Sequence, residues 1–221
     1  GEFFIDGTID GGGHALAVLE KIMPGGKFLG LDWDETMLEI AKSKIIPKYQ
    51  IQNTNPKILL INANYADMQD ILKIDKLGQA DGLLLDLGFS SEQLENSGRG
   101  FSYLKNEPLL MNYSRQTDLT AKRVVNNFKE KEVADIIYKY GEERYSRRIA
   151  REIVSVRKKR PIETTLDLAN AVKNAVPKNY EKGRMHPAQR TFQALRIYVN
   201  KELDNLEEAL ASIPAILRKG G

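Results

Sequence analysis

Short apolar runs alternate with helical spacings along residues 1–94. Phe3–Ile5, Phe28–Leu31, Ile58–Ile61 and Leu83–Leu85 are too short for buried helices and read as strands. Ala15–Met23 and Glu35–Ile46, lying between them, carry helix-like spacing. Strands alternating with helices predict right-handed βαβ units, and therefore a parallel sheet covered on both faces, the doubly wound α/β arrangement.

Beyond Gln93 the pattern changes. Residues 95–118 are rich in Asn, Ser, Gly and Arg with scattered aromatics, and read as a long surface loop. From Thr120 the spacing is helical: Val133, Ile136, Ile137 and Tyr140 share one face, and Ile149, Ile153 and Val156 continue the logic. Thr164 with Asp167 three residues on resembles a capping pair. Pro187, behind His186, sits at a favoured first-turn position and predicts one long helix with the stripe Phe192, Leu195, Val199, Leu203, Leu206 and Leu210. The expected organisation is a sheet core over residues 1–100, an all-helical insertion over 101–196, and a helix returning to the core over 197–221.

Composition narrows the chemistry. The 221 residues are 42% hydrophobic and 29% charged, which is globular rather than disordered. No apolar run approaches the roughly 18 residues of a membrane span. There is no Cys, and His14 and His186 are the two histidines, so thiolate nucleophiles, disulfides and multi-His metal sites drop out. A soluble cytoplasmic protein is expected, without a metal, working through carboxylates, amides, backbone groups or a borrowed cofactor. The opening without Met and the close on Arg218-Lys219-Gly220-Gly221, a helix stop, read as a fragment shortened at both ends.

Charge is uneven. Residues 141–196 hold 14 Lys and Arg against 6 Asp and Glu, a net +8, while the whole chain carries +3. A basic block on a mildly acidic core suggests a polyanion site, most simply nucleic acid; the bland reading is a solvated helix face with pairs such as Glu143–Arg147.

Asp6 through His14, with Gly11-Gly12-Gly13, follows the first strand and opens the first helix. Glycines there accept positive φ and let backbone approach a ligand, with helix N-terminal amides facing it. Asp32 ends the second strand, 20 residues after Gly12, where an acid can take both ribose hydroxyls of an adenosine cofactor. NAD and S-adenosylmethionine both fit these features. Asp86 ends the fourth strand at the switch point, and a third acid there suits a cationic sulfonium and an acceptor amine better than hydride transfer. The alternative for Asp86 is an N-cap to Ser90-Ser91-Glu92.

These motifs together resemble the RsmH (MraW) family of small-subunit ribosomal RNA methyltransferases. The match is carried by Asp6–His14, Gly30-Leu31-Asp32-Trp33-Asp34, Asp81–Leu94, Arg99-Gly100-Phe101-Ser102, Tyr140–Arg144, Arg147–Ala150 and His186–Arg196. The resemblance implies a Rossmann-like S-adenosylmethionine-dependent enzyme that methylates N4 of a decoding-region cytidine in 16S rRNA of the small ribosomal subunit. It implies a cofactor pocket of Gly12, Gly13, His14, Asp32, Tyr65, Asp86 and Gln93. Asp86, helped by the Leu87 carbonyl, is then the catalytic acceptor for the amine hydrogens. Arg147, Arg148, Arg190 and Arg196 are candidates for phosphate contacts, with Phe101 or Tyr103 for base stacking. The chain departs from the family at Asp10, where Gly is usual, and at Leu110, Asn112 and Ser114, which replace a charged stretch. It also lacks the family's upstream segment and last strands, which would leave an exposed edge at the fourth strand. Two other classes compete: an NAD(P)-dependent oxidoreductase fragment, and an RNA-binding module without turnover.

Overall fold

The computed structural model describes residues 1–22, 25–50 and 57–221, so Met23, expected in the first helix, lies outside them. In chain order the elements begin with β1 (Phe3–Asp6), α1 (Gly13–Ile22), β2 (Lys27–Asp32), α2 (Glu35–Gln50), β3 (Lys57–Asn62), α3 (Met68–Ile74) and β4 (Gly82–Leu84). Among the described residues seven α-helices follow: α4 (Ser91–Asn96), α5 (Ala121–Asn127), α6 (Glu130–Gly141), α7 (Ser146–Arg157), α8 (Thr165–Ala175), α9 (Gln189–Val199) and α10 (Glu202–Ile216). The chain divides into two compact units, Gly1–Gly88 with Leu203–Gly221, and Phe89–Glu202. These boundaries differ from those the sequence suggested at residues 100 and 196.

The first unit is a parallel four-stranded sheet in the order β3-β2-β1-β4. Ile5 pairs with Leu29 on one side and Leu83 on the other. Successive residues of a strand point to opposite faces, so Phe28 packs with Ala15, Leu19, Leu38, Ala41 and Ile45, while Leu29 and Leu31 pack with Phe3, Ile5, Met68, Leu72, Ala209 and Ile216. Helices α1 and α2 therefore cover one face, and α3 and α10 the other. Each fully buried Leu, Ile or Phe contributes roughly 1.5–3 kcal/mol. After α10 the backbone runs beside Ala80, whose amide donates to the Ile216 carbonyl and whose carbonyl accepts from the Arg218 amide, at 2.8 and 2.9 Å. That pairing lies two residues before β4.

The second unit is helical. Its core gathers Val124 and Val125 of α5, Val133, Ile136 and Ile137 of α6, Ile149 and Ile153 of α7, Leu168 and Val172 of α8, and Phe192 and Leu195 of α9. The Thr164–Asp167 pair is a reciprocal cap opening α8.

Three expectations need correction. The single long helix after Pro187 is two helices. It starts at Gln189 and breaks after Val199, because Asn200 turns its side chain to the Met111 and Arg196 carbonyls (2.7 and 2.9 Å) and accepts from the Tyr113 amide (2.7 Å), and Lys201 follows at φ +50°. The stripe consequently fails past the break, where Leu203 and Leu210 are exposed and Ala209, Ser212 and Ile216 are buried. Second, the stretch read as a surface loop buries Arg99, Phe101, Leu109, Met111, Asn112 and Ser114. It closes on itself through the Arg99 guanidinium, which donates to the Asn112 and Tyr113 carbonyls at 3.3 and 2.8 Å. Third, α2 continues past Ile46 through Pro47 to Gln50.

Candidate functional site

Acids gather at one edge of the sheet. Asp6 closes β1, Asp32 closes β2, and Asp86 stands two residues beyond β4. The winding reverses between β1 and β4, so the space above their carboxyl ends is the switch point at which α/β sheets bind ligands. The Gly7–Gly12 loop crosses this edge. Ile9 anchors it, buried in the Phe28 cluster, with its amide on the Leu31 carbonyl at 2.8 Å. Asp10 adopts φ +46°, a left-handed conformation that Asp tolerates better than most residues. Gly12 adopts φ +82°, and a Cβ there would stand 3.3 Å from the Ala41 Cα. Its side is thus filled by α2 rather than left for a ligand. Beside Gly13, the first residue of α1, the space is open.

The Asp32 carboxylate pins the loop: Oδ2 accepts from the Asp10 amide and Oδ1 from the Asp34 amide, each at 2.8 Å. Burial pushes its pKa up to about 7, with the charges of Asp34 and Asp10 adding to the rise, although the two amides pull the other way. Asp6 is fully buried; its Oδ1 accepts from the Thr8 amide at 3.1 Å, and its Oδ2 has no hydrogen-bond partner. Burial pushes Asp6 up to about 6; the Thr8 amide and His14 oppose the rise, and Asp86 and Asp10 add to it.

Asp86 donates its amide to Thr8 Oγ1 at 2.7 Å and presents an exposed carboxylate whose Oδ2 lies 3.5 Å from His14 Nε2. It does not cap the next helix. Ser90 does that, in a reciprocal pair with Gln93. Tyr65 opens a short 3₁₀ turn capped by the Asn64 side chain and is half-buried against the Met68 and Leu72 cluster, its Cβ close to Gly7. Gly12, Gly13, His14, Asp32, Tyr65 and Asp86 therefore border one edge of the first unit. Asp6 and Thr8 belong there too, although the sequence reading gave them no role. The signal available for Asp6 was its place as an acid ending an apolar strand, as Asp32 and Asp86 do.

Comparison with known proteins decides the family. Residues 1–221 match the MraW methylase family. The chain belongs to that family. "Ribosomal RNA small subunit methyltransferase H" of Syntrophotalea carbinolica is 46% identical over 221 residues, covering 100% of this chain and 68% of the relative. The protein of the same name from Syntrophus aciditrophicus is 45% identical over the same span and shares. That of Deinococcus radiodurans is 45% identical, with 66% of its length covered. An MraW methylase must hold a methyl donor, and the groups at the sheet edge fit one that carries hydroxyls and positive charge. Asp32 uses two of about four carboxylate lone-pair positions on amides, leaving acceptors for hydroxyls. The unpartnered Oδ2 of Asp6 is a buried acceptor suited to a cationic or hydrogen-donating group. Among the described residues no group of three or more His, Asp or Glu side chains is arranged to hold a metal ion, and no helix is long and apolar enough to cross a membrane.

In the second unit, Gln93 is buried; its Oε1 accepts from the Ser90 amide at 3.0 Å. Arg147 and Arg148 are exposed on α7, and the Arg144 and Arg148 guanidinium carbons lie 5.0 and 5.6 Å from the Tyr145 ring centre. Arg190 donates to the Glu142 carbonyl at 3.3 Å. Two expectations change. Arg196 binds Glu202 at 2.8 and 2.9 Å and lies 4.7 Å from the Phe89 ring centre, so its guanidinium is engaged within the fold. Phe101 is 6% exposed, its ring stacked with Phe89 and Tyr113, so it is engaged in packing within the unit. Tyr103 is half-buried and stacks on His186 at 4.5 Å, and burial lowers the His186 pKa.

Proposed function

We propose that this chain is an S-adenosylmethionine-dependent methyltransferase acting on N4 of a cytidine in the decoding region of 16S rRNA, within the small ribosomal subunit in the cytoplasm. The observation that carries the reading is Asp86, an exposed carboxylate with a fixed backbone at the switch point of a sheet whose neighbouring strands also end in acids. The similar proteins, named as small-subunit ribosomal RNA methyltransferases, support the substrate class.

When bound, S-adenosylmethionine supplies an electrophilic methyl group on a sulfonium. Asp32 would hold its ribose with the lone pairs the amides leave, Tyr65 would pack against adenine, and Gly13 and His14 would line its path at the start of α1. Gln93 is proposed as a further contact, its buried amide oriented by Ser90. The exocyclic amine of cytosine is conjugated with its ring and is a weak nucleophile. The Asp86 carboxylate, with the Leu87 carbonyl, accepts its hydrogens and holds them out of the ring plane, and positioning of this kind supplies several kcal/mol. The proton leaves after methyl transfer, when the nitrogen is acidic, and Asp86 beside His14 is placed to receive it. The cytosine must leave its stack to reach the site. Arg147, Arg148 and Arg190 are proposed phosphate contacts, with Tyr103 the remaining aromatic candidate beside the base.

The test is methylation of assembled small subunits against free rRNA, with the modified base identified by mass spectrometry. N4-methylcytidine that vanishes in Asp86→Ala, while RNA binding persists, is the expected result. Full activity of Asp86→Ala, or calorimetric binding of NAD in place of S-adenosylmethionine, would overturn the reading.

A further inference from the structure

Asp86 sits in a short segment after β4 that has no regular hydrogen-bond ladder of its own, and its side chain is exposed. A carboxylate in such a place wanders unless its backbone is tied down. The tie comes from a residue 78 positions away: Thr8 Oγ1 accepts the Asp86 amide at 2.7 Å. Thr8 is itself held from below, because its amide donates to Oδ1 of Asp6, a fully buried side chain on the central strand. One residue earlier, the Gly7 amide donates to the Leu84 carbonyl at 3.0 Å, so the Gly7-Thr8 backbone is stitched to the end of β4 as well. The links run without a gap from strand to buried acid to threonine to the Asp86 backbone.

We propose that Thr8 is a positioning residue for the reaction, fixing the height and direction from which Asp86 meets the acceptor amine, with Asp6 as its footing. This rests on the reading of Asp86 as the amine's acceptor. A hydroxyl oxygen is required at position 8 and a methyl is not, because the contact is a single accepted hydrogen bond. Serine should serve, valine should not.

The experiment compares Thr8→Val, which keeps the shape and removes the oxygen, with Thr8→Ser, which keeps the oxygen, and with Thr8→Ala as a second deletion should valine not fold. Two readouts are taken. In the protein without cofactor, hydrogen exchange of the Asp86 amide is expected to accelerate about tenfold or more in Thr8→Val and to stay near wild type in Thr8→Ser. In turnover on small subunits, kcat is expected to fall about 10- to 100-fold in Thr8→Val with KM for both substrates little changed, since a misplaced group costs rate rather than binding. Thr8→Ser is expected to restore kcat. Wild-type exchange and kcat in both Thr8→Val and Thr8→Ala would overturn the proposal. Asp86→Asn run alongside separates the two ideas: if it stays fully active, the reading of Asp86 fails; if it is inactive while Thr8→Val works normally, only the role of Thr8 fails.

Discussion

The Arg196 guanidinium meets the Glu202 carboxylate through two parallel hydrogen bonds, Nε to Oε1 at 2.8 Å and Nη2 to Oε2 at 2.9 Å. Both side chains are more than four-fifths buried, and the Tyr113 hydroxyl adds a third bond to Oε1 at 3.2 Å. Removing one member of such a pair leaves the other charged and poorly solvated. Arg196→Ala is expected to lower unfolding stability by about 2–4 kcal/mol in urea titration. The slope of RNA affinity against salt should hardly change.

Arg147 and Arg148 should behave in the opposite way. They are exposed on α7 in the basic stretch. Replacing both by Ala should leave stability within about 0.5 kcal/mol. The slope of log affinity against log salt should drop by about 1–2, as expected for lost phosphate contacts. An unchanged slope measured by filter binding would remove them from the RNA surface.

Asp6 and Asp32 make stability fall as pH rises. Burial holds their folded pKa values up at about 6 and about 7. Unfolded Asp titrates near 3.9, so between about pH 4 and 7 the folded state binds more protons. The stability they provide is fully present below the unfolded pKa and is lost as pH rises through the folded values. Urea unfolding from pH 4.5 to 8 should show this decline, and Asp6→Asn should shrink it by on the order of 2 kcal/mol. A donor carrying positive charge should reverse the trend for binding, its affinity rising through the same window.

Gly12 and Gly13 are adjacent and should differ. Gly12→Ala forces a left-handed alanine against Ala41 and is expected to cost about 1–3 kcal/mol. Gly13→Ala enters open space on a helical backbone and should be neutral or slightly stabilising. Paired denaturation curves decide this.

The strands were legible because they are short apolar runs between helical spacings, and period alone separates the two. Asp32 and Asp86 were legible because an acid ending such a run points to the crevice. The break at Asn200 was not, because Asn-Lys is an unremarkable pair inside an apolar stripe. What stops the helix is a set of bonds to Met111 and Tyr113, 89 and 87 residues away. The stretch from Arg99 to Ser114 misled for a related reason: its polar composition suggests solvent, yet the Arg99 guanidinium and the Asn112 amide nitrogen donate to carbonyls of the same stretch. Thr8 was invisible because its partner lies on another strand's end.

The sheet core is assembled from two separated pieces of chain, Gly1–Gly88 and Leu203–Gly221. One face of the sheet, with Phe3, Ile5, Leu29 and Leu31, is completed by Ala209 and Ile216 of α10. During synthesis every residue of the helical unit leaves the ribosome before that face can close. The nascent sheet must therefore wait with that face covered by α3 alone, while the later-made bundle already has all it needs to collapse.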